Sequence, residues 1–354
     1  VKNLDRLIQQ YQEDKRVLQI NDALNGTQRA RILLSGMVGA LEAFIITALY
    51  HQQENNHLII ADDKEQAAYL QNTISNLLDK KPAQFFPDSF KRPTNFEKLN
   101  SSNVLERTRT ISRITASKAK GEIVVTYPEA VFEKVVDPNL LNKNRINIVK
   151  EESLDVDSII ELLVGYGFKR EDFVYEPGQF SIRGGIIDIF SYGNEYPYRI
   201  ELFDDEVESI RVFNPMTQLS MQDIQSVSII PNINTEFSSS DKVSLLEVMP
   251  PNTVVWVKNI TYLIGRLQNC FEKAEEFSKT ISVLDQSELA EVFRDRSFLY
   301  PKDIVQAIEP FPMICLSRSD HDPEFNDRVQ FHSKPQPSFN KNFELLIRDL
   351  KENT

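Results

Sequence analysis

Two stretches of this sequence hold residues whose types and spacing could do chemistry. The first is Gly36-Met37-Val38-Gly39-Ala40-Leu41-Glu42-Ala43, which follows the apolar run Arg31 to Leu34 and opens a helical pattern to about Tyr50. A working phosphate loop reads GxxxxGK[ST] after a strand. Its glycines let backbone N–H groups approach phosphates, its Lys meets the β/γ-phosphates, and its hydroxyl holds Mg²⁺. Here the first Gly is Gly36. Leu41 stands at the second Gly position, Glu42 reverses the charge of the Lys, and Ala43 removes the metal ligand. The pattern predicts a strand-to-helix turn that uses small residues, among them Gly39, and binds no nucleotide. The run Leu58 to Asp63 could supply a Mg²⁺-binding carboxylate. It comes too soon after the first strand, however, and Asp62 and Asp63 explain themselves as helix caps.

The second stretch runs from Phe173 to Pro215 and carries paired charges on alternating strands. Phe180 to Phe190 reads as one apolar run, with Gly184 and Gly185 predicting a bulge or the close approach of another backbone. A polar loop with Gly193-Asn194 as its turn signal follows, and Pro197 opens the next strand. Tyr198, Ile200 and Leu202 alternate with Arg199, Glu201 and Phe203, so Arg199 and Glu201 share a face. After Asp204-Asp205-Glu206, the alternation resumes over Val207 to Phe213. Pattern alone leaves two readings of these charges, an ordinary solvated sheet and a binding face.

The elements that must position these residues form two kinds of pattern. An amphipathic helix opens the chain. Strands at 31–34, 58–61 and 123–126 then alternate with helices, which predicts a covered parallel sheet. Residues 82 to 103 read as an extended connection, and 104 to 119 as a basic helix. The character changes near Asp137-Pro138-Asn139. A strand at 146–149, a helix at 155–166 and the meander then form a small α+β unit. Strands at 253–257, 314–316 and 329–331, with a helix at 260–277, predict a return to the first sheet. The expected division is 1–139 and 226–335 as two halves of one α/β domain, 140–225 as the insertion, and 336–354 as a linker and the start of a further, truncated domain.

Composition narrows the function classes. The chain has 354 residues, 41% hydrophobic and 26% charged, which is ordinary for a globular protein with ample core. A net charge of −12 argues against strong general binding of duplex DNA, whose affinity rests on neutralising phosphates. Cys270 and Cys315 form neither a disulfide framework nor a metal motif. His51, His57, His321 and His332 lie in polar contexts without catalytic partners, which predicts loop or surface positions. No signal peptide or membrane-length run is visible, and a cytoplasmic location is expected. The first residue, Val1, hints at a cut chain.

The wording of the meander, EPGQFSIRGGIIDIF then YRIELFDDEVESIRVF then P-x-T-Q at Pro215 to Gln218, resembles the amino-terminal region of the bacterial transcription-repair coupling factor family, Mfd. UvrB shares a related form. The stretch FFPDSFKRP at Phe85 to Pro93 and the ending PQPSFNKNFELL add to the resemblance. It implies a degenerate P-loop, helicase-like α/β domain, discontinuous around a small α+β domain that docks UvrA. It carries over Arg183, Arg199 and Glu201 as docking residues. Arg170 takes a fourth basic position, with Lys169 its alternative; apart from the resemblance, Phe180 is by residue type an aromatic that could carry interface energy. Ser181 departs from the family's often basic position. The resemblance implies a non-catalytic recruitment module with no cofactor of its own. ATP and Mg²⁺, RNA polymerase and double-stranded DNA would belong to domains outside this chain. Two rivals are an ATP-dependent helicase or UvrB-like DNA-binding fragment, and an unrelated α/β enzyme.

Overall fold

Alternating apolar strands and amphipathic helices build one parallel sheet from both ends of the chain. A computed structural model describes residues 2–26, 29–53, 55–78, 82–91, 96, 100–115, 121–192, 194, 196–230, 239–281, 290, 292–293, 297–316, 325–335 and 342–352. The first half supplies α1 (Lys2–Gln12), α2 (Lys15–Gly26), β1 (Arg31–Ser35), α3 (Leu41–Gln52), β2 (Asn56–Ile60), α4 (Lys64–Leu77), β3 (Gln84–Phe85), α5 (Ser101–Ile114), β4 (Ile123–Thr126) and α6 (Pro128–Phe132). Then come β5 (Val135–Val136) and α7 (Pro138–Lys143). After the small unit, β14 (Lys242–Val243) and α9 (Leu245–Val248) lead to β15 (Thr253–Val257) and α10 (Ile260–Ser278). A helix, Pro301–Ile308, precedes β16 (Met313–Cys315) and β17 (Asp327–Gln330).

The seven strands lie in the order β17-β1-β16-β15-β2-β4-β3, all neighbours parallel. The late strands β15 and β16 sit between β1 and β2, so neither half completes the sheet without the other. Strands buried on both faces explain the unbroken apolar runs IVVT and TVVWV. Asp63 caps α4 by accepting the Gln66 N–H, as its position suggested. His57 departs from expectation. It is fully buried in β2, where the Trp256 Nε1–H donates to its Nδ1 at 3.0 Å and burial lowers its pKa to about 4.

The FFPDSF stretch is a structural lock. Arg107 of α5, 2% exposed, donates to the carbonyls of Pro87 at 2.7 Å and Ala130 at 3.1 Å and covers the Phe86 ring. The Tyr127 hydroxyl donates to buried Asp88, and the Ser89 N–H donates to Glu133 Oε1 at 2.9 Å. Burial pushes the Glu133 carboxyl up to about 7, against the pull of Arg107.

Between the halves, β5 and β14 pair antiparallel, so the paths into and out of the small unit run side by side. That unit contains β6 (Ile146–Val149), α8 (Val156–Gly165), β7 (Lys169–Arg170), β8 (Gln179–Arg183), β9 (Ile186–Phe190), β10 (Tyr198–Phe203), β11 (Glu206–Phe213), β12 (Ser220–Ile224) and β13 (Ser226–Ile229). Its main sheet runs β12-β11-β10-β9-β8-β7. One face packs Phe180, Ile187, Ile189, Ile200, Val207 and Ile210 with Ile159 and Leu163 of α8. β13 lies beyond the expected limit of residue 225 yet pairs with β6. The last helix, Phe343–Glu352, is amphipathic, as the ending suggested, with Phe343 and Ile347 exposed. Gly193, His321, residues 92–93, the polar run at 231–238 and the stretch at 336–340 lie outside the described residues. Among the described residues no helix is long and apolar enough to cross a membrane, and no cluster of side chains has metal-ligand character.

Candidate functional site

The polar face of the small sheet is built by a hairpin that the sequence disguises. Phe180 to Phe190 is two strands, β8 and β9, and Gly184-Gly185 is their two-residue turn rather than a bulge, since Arg183 pairs with Ile186. Gly184 has φ +60°, the conformation that such turns need at their first central position. The expected close approach is present at Gly185. A Cβ there would lie 2.9 Å from the Leu202 carbonyl oxygen, and the Leu202 N–H donates to the Gly185 carbonyl at 2.8 Å.

Turning the chain back at Gly184 puts Asp188 between two arginines. Ser181 faces Asp188 across one ladder, and Asp188 faces Arg199 across the next. Asp188 has no solvent exposure. Arg199 donates to it through Nε and Nη2, both at 2.8 Å, and Arg183 Nη2 donates at 2.6 Å. This pairing keeps Arg199 firmly protonated.

Each guanidinium also covers a ring, Arg183 over Phe173 at 4.8 Å and Arg199 over Phe213 at 4.4 Å. Beneath them Val174, Phe190 and Phe213 make a three-residue core on this second face of the sheet. Arg183 Nη1 donates to the Asp172 carbonyl at 2.5 Å and to Ser181 Oγ at 2.9 Å. Arg199 Nη2 donates to Gln218 Oε1 at 3.1 Å, and Nη1 to the Gln218 carbonyl at 3.3 Å. The P-x-T-Q wording therefore marks a turn that braces Arg199. Asn214 Oδ1 accepts from the N–H groups of Met216 and Thr217, and Gln218 adopts φ +60°.

Glu201 shares this face. It pairs with Arg211 of β11 and accepts from Ser209 Oγ at 2.9 Å. Arg183, Arg199 and Glu201 thus lie together, as strand period and pairing require.

The remaining expected residues lie elsewhere. Phe180 is fully buried in the core against α8 and cannot touch a partner, because it points to the opposite face from Ser181. Arg170 is exposed and registers with Phe180 in a parallel ladder, on the side away from Arg183. Lys169 registers with Gln179 and falls on the Arg183 side. Asp188 escaped the sequence reading although IIDIF places a lone acid among apolar residues. Treating 180–190 as a single strand concealed its partners.

The loop at Gly36 lacks the second Gly, the Lys and the hydroxyl that a phosphate loop carries. Gly36 (φ +70°) and Gly39 (φ +66°) turn the chain from β1 into α3. A Cβ at Gly36 would lie 1.8 Å from the Phe331 carbonyl oxygen, and Ser333 Oγ donates to the Gly36 carbonyl at 2.7 Å. The small residue is required by the chain that crosses it. Leu41 and Ala43 begin α3. Glu42 lines a crevice of about 320 Å³ with Glu65, Tyr69 and Lys258. Burial raises the Glu42 carboxyl, Lys258 opposes that rise, and Asp62 adds to it. Lys258 is engaged by Asp62 at 3.6 Å and by Gln66.

The UvrB interaction domain family matches residues 146–235, the segment that holds the whole arginine face. The chain is similar to curated transcription-repair-coupling factors. It is 34% identical to that of Staphylococcus haemolyticus over 62% of this chain and 18% of the relative. It is 28% identical to that of Bacillus subtilis over 64% and 19%, and 30% identical to that of Staphylococcus epidermidis over 75% and 20%. The matched part of the chain spans about a fifth of the length of these relatives.

Proposed function

We propose that this chain is a non-catalytic recruitment module of transcription-coupled nucleotide excision repair in the bacterial cytoplasm. Its UvrB interaction domain docks UvrA through the face that carries Arg183, Arg199 and Glu201. The observation that carries this reading is the placement of two arginines on one buried carboxylate within the matched domain. Stacked, pre-ordered arginines are the residue type that anchors interfaces. Lys169, on the same side by register, is a better candidate for the further basic contact than Arg170.

The α/β domain, residues 1–139 and from about 230 to 335, acts as the scaffold from which the small domain projects. Pairing of β13 with β6 supports an insertion that runs to about residue 229. The relatives are full-length coupling factors, and any translocation on DNA or contact with RNA polymerase belongs to their remaining length. Leu41, Glu42 and Ala43 support the absence of ATP chemistry in this chain.

The test is a titration of UvrA with the chain and with Arg183→Glu. Arg183 is the more exposed arginine, at 36% of its side chain, so its reversal disturbs the fold least. Binding by the wild type, weakened more than about tenfold in the variant, is expected for the loss of an interfacial charge. Equal binding by both would remove the proposed face.

A further inference from the structure

The two arginines of this face are not independent surface charges. Arg183, Arg199 and Asp188 together carry one net positive charge, and the carboxylate is wholly inside. It takes three of the hydrogen bonds that the guanidiniums donate, from Arg199 Nε and Nη2 and from Arg183 Nη2. The rings of Phe173 and Phe213 and the Gln218 turn hold the other sides. A long side chain held at both its charged end and its flat face loses little freedom when a partner arrives.

We propose that Asp188 is the positioning residue of the docking face. It clamps Arg183 and Arg199 into one preformed fork that receives a carboxylate-bearing surface of the partner, and Gln218 is the outer brace of that fork. This rests on the docking reading above, and it assigns the partner's contact an acidic character. Asp188 itself is too deep to touch the partner. It acts through the arginines.

The proposal makes a prediction whose sign separates it from simple charge attraction. Asp188→Asn keeps the side-chain shape and raises the charge of the triad from one to two. If the arginines act only as charges, binding to an acidic partner strengthens. If Asp188 positions them, binding weakens, because the partner must now order two arginine side chains. That corresponds to a loss of about fivefold to a hundredfold.

The experiment follows association and dissociation of UvrA on the immobilised full chain, wild type, Asp188→Asn, Gln218→Gly and Arg183→Glu. Circular dichroism melts establish the folded fraction. Gln218→Gly removes the brace at a left-handed position that glycine tolerates, so it tests the same idea if Asp188→Asn does not fold. The expected result is faster dissociation in both Asp188→Asn and Gln218→Gly at unchanged binding capacity. A merely structural role would lower the capacity and leave the dissociation rate alone, and would overturn the proposal. Wild-type or tighter binding by the folded variants, with binding lost in Arg183→Glu, would overturn the positioning role and leave the docking reading standing. Normal binding by Arg183→Glu would overturn both.

Discussion

Replacing Arg199 by alanine separates a surface charge from a structural one. Arg199 is 16% exposed and makes a two-pronged pair with a carboxylate that has no exposure. Breaking a buried pair from one side costs about 3–5 kcal/mol, because the other charge is left in a poor solvent. Here Arg183 remains 2.6 Å from Asp188 Oδ2 and Arg199 is not fully enclosed, so about 2 kcal/mol is expected. Arg183→Ala leaves the two-pronged pair intact and removes a side chain that is 36% exposed, so about 0.5–1 kcal/mol is expected. The chain's one tryptophan, Trp256, lies in β15 of the other sheet and serves as an internal control. Hydrogen exchange over residues 179–203 should rise strongly in Arg199→Ala and slightly in Arg183→Ala, with the Trp256 fluorescence transition in urea unchanged. Equal exchange in both variants, indistinguishable from wild type, would refute the claim that Asp188 needs Arg199.

Other consequences are as direct. Glu133 has a folded pKa of about 7 against an ordinary 4.5, so the folded state holds the proton more tightly. Its contribution to stability is complete below the ordinary value and is lost as pH rises through 7, by up to about 3 kcal/mol. The urea midpoint followed by Trp256 should therefore fall between pH 5 and 8, and Glu133→Gln should flatten that fall. Gly36→Ala should destabilise by about 2–4 kcal/mol, since its Cβ would meet the Phe331 carbonyl. Gly39→Ala, with open space but the same left-handed backbone, should cost about 1 kcal/mol in the same urea titration. Calorimetry with Mg-ATP should show no saturable heat, because Glu42 stands at the Lys position of the loop and Lys258 is already engaged by Asp62 and Gln66.

Much of the architecture was legible because parallel strands buried on both faces announce themselves as unbroken apolar runs. The return of the second half to the first sheet followed from the same signal at TVVWV, and a cap at Asp62 or Asp63 from their place before α4. Less was visible where two effects look alike in one dimension. A pair of glycines inside an apolar run fits a bulge and a hairpin turn equally, and only pairing tells them apart. That ambiguity hid Asp188. Phe180 looked like an interface aromatic because its type says nothing of which face it takes. Alternation from Arg183 back through Ser181 already placed it on the core side. His57 was misjudged from its polar neighbours Asn55 and Asn56, although it is the second residue of a strand whose every residue is buried.

The most direct test of the docking claim is hydrogen exchange of the intact chain with and without saturating UvrA. Docking through the arginine face predicts new protection confined to residues 169–218 of the small domain, centred on the strands that carry Arg183 and Arg199, with the parallel sheet unchanged. Protection that appears on the parallel sheet or at the Gly36 loop, with the 179–203 segment unaffected, would contradict it.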